Sequence, residues 1–183
     1  MTDLKRLVFL AGFMASGKST IGPALARRLG YEFVDIDDVI EASEGMSIPE
    51  IFKRNGEAYF RGVEKRALER LTRDDRKLIV ALGGGTLMDQ ESKGLVLAKG
   101  MLVYLKASPR DIFERVKRKK DRPMLLSPEG HPLDDQQLAA RVASLMSERE
   151  AHYQIAHITI HTAGAGVLDC VEEIASRLKG RIA

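Results

Sequence analysis

Short, wholly apolar runs alternate along this chain with longer stretches whose apolar residues recur every three or four positions. The first run, residues 7–11, reads Leu-Val-Phe-Leu-Ala and stops at Gly12, which predicts a strand covered on both faces. Over 18–29 the pattern turns helical, with Ile21, Leu25 and Leu29 four apart on one face and Gly30 where a helix ends. A second strand is expected over 32–36, closing in acidic residues, and helices over 39–43, 48–54 and 57–71, separated by Gly45 and Gly56. Residues 78–82 form another buried run, stopped by three glycines, and lead to a helix over 90–98 and a strand over 101–105. Pro109 suits the first turn of a helix running to 118. Residues 119–132, with Pro123, Pro128, Gly130 and Pro132, predict a long mobile loop. A helix over 134–153 turns Leu138, Val142, Leu145 and Met146 inward, and a strand over 156–160 and a helix over 168–178 close the chain. Five buried strands alternating with helices mean βαβ units and a mostly parallel sheet covered on both faces. With no internal repeat and no linker, 1–183 reads as one α/β domain.

Between the first strand and first helix lies Gly12-Phe-Met-Ala-Ser-Gly17-Lys18-Ser19, which matches G-x-x-x-x-G-K-[ST] and is followed by Thr20. The chemistry explains the spacing: glycines let the backbone curl so that successive N–H groups converge on phosphate oxygens, and the next helix aims its positive end there. Gly12, Ala15, Ser16, Gly17, Lys18, Ser19 and Thr20 are the candidate phosphate-binding residues, with Lys18 reaching the β- and γ-phosphates and Ser19 ligating Mg²⁺. Binding of a nucleoside triphosphate follows.

Asp35-Ile36-Asp37-Asp38 closes the second predicted strand. Residues two apart on a strand face one side, so Asp35 and Asp37 can both look into the crevice beyond the sheet's carboxyl end. One would order Mg²⁺ and its waters; the other would accept a substrate hydroxyl's proton. The alternative is that Asp37 or Asp38 caps the next helix.

Three further features bear on ligands. Arg61 and Glu64, three apart on a helix, form either a solvated ion pair or a glutamate-held arginine that grips a substrate carboxylate in a bidentate fork. Gly83-Gly84-Gly85 after an apolar strand points to close approach of a ligand to backbone or to a bend where Cβ is forbidden. Residues 115–122 hold six cations against one anion. Most of these make a solvated helix end, but Arg122, just before Pro123 in the long loop, is placed to fold over a γ-phosphate as the loop closes. Arg149, near the end of the long helix, belongs either to the site or to the surface.

Composition adds exclusions. The chain has 183 residues, 44% of them hydrophobic and 30% charged, enough for a core and incompatible with disorder. A formal net charge of +3 does not mark a general nucleic-acid binder, and the 115–122 segment carries no aromatic residues for base stacking. Cys170 is the sole cysteine, so no intramolecular disulfide exists and a reducing compartment is expected. The apolar stretch 7–13 is shorter than a membrane span, so no membrane partner is expected and a soluble cytoplasmic protein is. The four histidines do not make a metal site.

Taken together, the phosphate loop GFMASGKST, Asp35-Ile-Asp37, GEAYFRGVEK, the strand ending in ALGGG, DRPML and LMSEREAHY resemble shikimate kinase, in order from about Phe9 to Tyr153. The resemblance implies a P-loop, nucleoside-monophosphate-kinase-like fold with a five-stranded parallel sheet in the order 2-3-1-4-5. It implies a lid over about 116–133 and substrate-binding helices over about 37–71. The implied reaction is transfer of the ATP γ-phosphoryl group to the 3-hydroxyl of shikimate, in chorismate and aromatic amino-acid synthesis, with Mg²⁺ as cofactor. By the same resemblance Lys18 and Arg122 contact the transferring phosphate, and Ser19 and, through water, Asp35 hold Mg²⁺. Asp37 binds the shikimate hydroxyls and serves as the candidate base. Arg61 and Arg149 grip the carboxylate, Gly83, Gly84 and Gly85 pack on the ring, and Arg115 stacks on adenine. A monomer is expected. The competing readings are a kinase of the same fold for another polyol acid, such as gluconate, and a nucleotide-binding regulatory module.

Overall fold

All five predicted strands are parallel strands of one sheet: β1 (Leu7–Ala11), β2 (Glu32–Asp35), β3 (Leu78–Ala81), β4 (Gly100–Lys106) and β5 (Ile158–His161), in spatial order β2-β3-β1-β4-β5. β2, expected to be buried, lies at the sheet edge with no fully buried residue. The computed structural model describes residues 4–118, 125, 131 and 133–183. Among the described residues seven α-helices connect and cover the strands: α1 (Lys18–Leu29), α2 (Ile36–Glu44), α3 (Ile48–Thr72), α4 (Gln90–Lys99), α5 (Pro109–Val116), α6 (Asp135–Tyr153) and α7 (Val167–Leu178). A 3₁₀ turn, Thr86–Met88, follows β3. Among the described residues no helix is long and apolar enough to cross a membrane.

Strand alternation sorts the core into two layers. Leu7, Phe9, Val80 and Leu102 face α2, α3 and α4, while Val8, Leu10, Ile79 and Val103 face α1 and α7. Val8, Phe9 and Leu10 are wholly buried, and truncating Phe9 to Ala would cost about 3–5 kcal/mol. A third, smaller cluster beyond the carboxyl end of the sheet joins Phe13 of the phosphate loop to Ile112 of α5, Leu125, and Val142 and Leu145 of α6. The first strand therefore leads its loop onto a packed platform.

Three boundaries differ from the pattern-based reading. β2 stops at Asp35 and α2 starts at once at Ile36, because the Asp35 carboxylate accepts the Asp37 N–H at 3.0 Å and so caps the helix. The strand alternation expected to align Asp35 with Asp37 is thus absent, and the cap is Asp35, not Asp37 or Asp38. The two helices expected on either side of Gly56 run as α3 with a break at Gly56 (φ 81°, ψ 174°). β5 begins at Ile158, so His157 lies just before it, where its Nδ1 accepts the Leu102 N–H at 2.9 Å.

Candidate active site

The phosphate loop connects β1 to α1 at the sheet's carboxyl end. Gly12 has φ 148°, and a Cβ there would meet Ser16 Oγ at 2.6 Å and the Leu105 carbonyl at 2.7 Å, so only glycine fits. Ala15 holds φ 60°, the one non-glycine residue in the left-handed region among the described residues. That conformation costs about 1 kcal/mol or more. Arg115 of α5 holds the turn from outside, its Nη1 donating to the Ala15 carbonyl at 2.8 Å. From inside, Lys18 Nζ donates to the carbonyls of Gly12 at 2.9 Å and Phe13 at 3.3 Å. Ser16 Oγ is buried and has no hydrogen-bond partner among the described residues, a polar group the fold itself leaves unsatisfied.

Two cavities open on opposite sides of this loop. One, of about 380 Å³, is bordered by Ala15, Ser16, Gly17, Ser19 and Thr20 together with Arg115 and Arg118. The other, of about 310 Å³, is bordered by Met14 from the same loop and brings together Asp37, Arg61, Glu64, Gly83, Gly84, Gly85 and Arg149. Apolar walls from α3, Phe52 and Phe60 with ring centroids 4.7 Å apart, complete it.

In the second cavity both arginines are held by neighbouring side chains. Arg61 Nη1 donates to Glu64 Oε2 at 2.8 Å and its Nη2 to Glu57 at 3.1 Å. Glu64 is buried, so this is not a solvated surface pair. Arg149 is 5% exposed, with its guanidinium 5.5 Å from the Phe13 ring centroid. Tyr153, one helical turn on, donates to the Gly84 carbonyl at 2.9 Å and is hydrogen-bonded by Arg149. Its ring stacks on Tyr104 of β4 at 5.0 Å.

The glycine triplet has a reason other than a bend, since none of the three has positive φ. A Cβ on Gly83 would meet Glu64 Oε1 at 2.5 Å, on Gly84 Arg149 Nη1 at 2.9 Å, and on Gly85 the Arg61 guanidinium at 2.6–2.8 Å. The bare backbone makes room for three of the pocket's four charged side chains, Glu64, Arg149 and Arg61.

Acid strength marks the other end. Burial, with the neighbouring charges of Asp35 and Glu64, pushes the Asp37 carboxyl up to about 6. Burial also raises Asp35, against the opposing hydrogen bond from the Asp37 N–H. Lys18 acts electrostatically on both carboxylates, which links the phosphate loop to the second cavity. The two carboxylates, and the Ser19 hydroxyl exposed on the first turn of α1, are oxygen donors of the kind that suits a hard divalent cation.

Comparison with known proteins agrees with this geometry. The shikimate kinase family model matches residues 14–179. The chain belongs to the shikimate kinase family. Membership makes it an ATP-dependent kinase. It is 42% identical over 176 residues to the shikimate kinase of Chlorobaculum tepidum, covering 96% of this chain and 92% of that one. In structure it is similar to the Acinetobacter baumannii shikimate kinase in complex with shikimate, with a TM-score of 0.84 at 32% identity over 96% of this chain and 93% of that one. The Bacteroides thetaiotaomicron shikimate kinase gives the same TM-score, 0.84, at 25% identity over 94% and 98% of the two chains.

For a shikimate kinase family member, the sequence-predicted residues fall into two groups in space. Asp37, Arg61, Gly83–Gly85 and Arg149 border the second cavity, Ala15, Ser16, Gly17, Ser19, Thr20 and Arg115 border the first, and Gly12, Lys18 and Asp35 border neither. Arg122 and the larger part of the expected lid lie outside the described residues. Sequence reasoning missed Glu64 as a buried wall, the Phe52–Phe60 pair, Arg118, Thr86 and Tyr153. One signal was available: Val142, Leu145, Arg149 and Tyr153, all buried, lie at helical spacings of three and four, so Arg149 falls on the inward stripe.

Proposed function

We propose that this chain transfers the ATP γ-phosphoryl group to the 3-hydroxyl of shikimate, with the acceptor in the 310 Å³ cavity and the nucleotide in the 380 Å³ cleft across the phosphate loop. The observation that supports this best is the charge layout of the acceptor cavity. Two braced arginines, Arg61 and Arg149, match one carboxylate, and Asp37 matches hydroxyls.

In this reading Lys18 exchanges the Gly12 and Phe13 carbonyls for oxygens of the transferring phosphate. Asp37, ionised above pH of about 6, orients the 3-hydroxyl and receives its proton as the hydroxyl oxygen bonds to phosphorus and the bond to the ADP oxygen breaks. Ser19 and Asp35 would hold Mg²⁺, which when bound offsets charge on the phosphate oxygens. Arg115 and Arg118 border the nucleotide cleft, and Arg115 is assigned to the adenine and Arg122 to the γ-phosphate on the family resemblance. Positioning and charge compensation carry the reaction, as loose phosphoryl transfer permits. The product enters chorismate and aromatic amino-acid synthesis, in the cytoplasm, and the enzyme works as a monomer.

The test is ADP release with Mg²⁺ and ATP against shikimate, quinate, gluconate, nucleoside monophosphates and no acceptor. Turnover with shikimate alone is expected. Turnover only with gluconate would overturn the carboxylate-and-ring assignment of Arg61 and Arg149, and tight ATP binding with no turnover at all would favour a regulatory module.

A further inference from the structure

Thr86 opens the 3₁₀ turn that follows the glycine triplet, and it is 1% exposed. Its hydroxyl lies 2.6 Å from Oε1 of Glu64 and 3.1 Å from the Gly83 carbonyl. A hydroxyl has one proton to give, and the shorter contact, to a carboxylate, receives it. The other oxygen of Glu64, Oε2, accepts from Arg61 Nη1 at 2.8 Å. Glu64 is itself 3% exposed, so its donors must come from the protein. Each carboxylate oxygen thus has one: Thr86 on the buried side, Arg61 on the side of the cavity.

We infer that Thr86 is a positioning residue for recognition of the acceptor's carboxylate, acting through Glu64 on Arg61. The inference rests on the reading of the cavity as the shikimate site. Its physical basis is rotational. Glu64 Oε1 sits in the space that Gly83 leaves, 2.5 Å from where a Cβ would be. With the hydroxyl removed, that oxygen keeps no donor in a buried position, and the lower-energy arrangement turns both oxygens onto the Arg61 fork. The guanidinium, which lies against Gly85, is then drawn away from the wall of the cavity. Thr86 borders neither cavity and its hydroxyl reaches Glu64, which borders only the acceptor cavity, so its effect appears in acceptor affinity and not in nucleotide affinity.

The experiment compares Thr86→Ser, Thr86→Ala and Thr86→Val, with shikimate and ATP varied separately and a thermal melt of each variant. Serine and alanine both lose the γ-methyl and only serine keeps the hydroxyl, so this pair separates hydrogen bond from packing even if the valine variant is insoluble. Alanine and valine are expected to raise the shikimate KM about tenfold, the loss for one hydrogen bond to a buried charge, and to leave the ATP KM unchanged. Serine is expected to match the wild type. The relay is overturned if serine behaves as alanine, if both KM values rise together, or if alanine changes neither. Wild-type protein that fails to phosphorylate shikimate would instead sink the assignment of the cavity, a result distinct from an active wild type with an indifferent Thr86→Ala.

Discussion

Asp37→Asn should make the free protein more stable and less active, and the gain should depend on pH in a defined way. In the unfolded chain this carboxyl titrates near 3.8, and in the fold burial and the charges of Asp35 and Glu64 raise it to about 6. The folded state therefore holds the proton more tightly, and wild-type stability is lost progressively as pH rises from 3.8 through 6. Two units correspond to about 3 kcal/mol at pH 8, and linkage leaves about 1 kcal/mol of that loss at pH 4.5. Asparagine keeps the shape without the charge, and since Asp35 caps α2 the substitution removes no cap. The variant should thus melt about 6–12 °C above wild type at pH 8, where 1 kcal/mol is worth about 2–4 °C in a chain of this size. The gap should shrink to about a third at pH 4.5. Urea titrations of both proteins without ligand, at four or five pH values, measure it. A gap independent of pH, or an asparagine variant less stable at pH 8, would refute the argument that the fold confines uncompensated charge at Asp37. The same carboxyl must be ionised to accept a proton, so log kcat/KM for the wild type should fall with unit slope below pH of about 6.

Other perturbations separate the two cavities. Lys18→Ala should lower kcat by about a hundredfold or more while the fold survives; retained turnover would remove it from the transfer step. Arg61→Ala should raise the shikimate KM well above any change in the ATP KM, and equal effects would count against a carboxylate clamp. Gly85→Ala should keep the fold, because the three atoms nearest the new methyl all belong to the Arg61 guanidinium, the far end of a long side chain, yet it should weaken shikimate binding; a melt lowered with unchanged KM would contradict that account.

Much of this arrangement was legible before any coordinates. An apolar run of five residues stopped by glycine is short for a helix and right for a buried strand, and the glycine-lysine-serine spacing admits few backbones, so β1, the loop and α1 follow from local chemistry. The acidic pair was located but its geometry was misread. Alternation was carried one residue too far, whereas the Asp35 side chain bonds to the Asp37 amide and turns strand into helix there. Hydroxyl bonds such as Thr86 to Glu64 and Tyr153 to Gly84 join residues 22 and 69 positions apart, and no pattern along the chain encodes them. The glycine triplet was informative for a different reason from the one expected: its missing side chains accommodate Glu64, Arg149 and Arg61 as well as bordering the pocket.

Met14 and Ala15 are neighbours in the chain and border different cavities. A substitution there is pleiotropic by construction: reshaping Met14 to admit a new acceptor moves the peptide that carries the strained Ala15, whose carbonyl Arg115 holds. On the proposed assignment of the cavities, altered acceptor selectivity is therefore more accessible to evolution from the α3 wall, where Phe52 and Phe60 border the 310 Å³ cavity and not the other. A library confined to those two positions should yield variants that change acceptor and keep their nucleotide, and one built on the loop should yield variants that lose both.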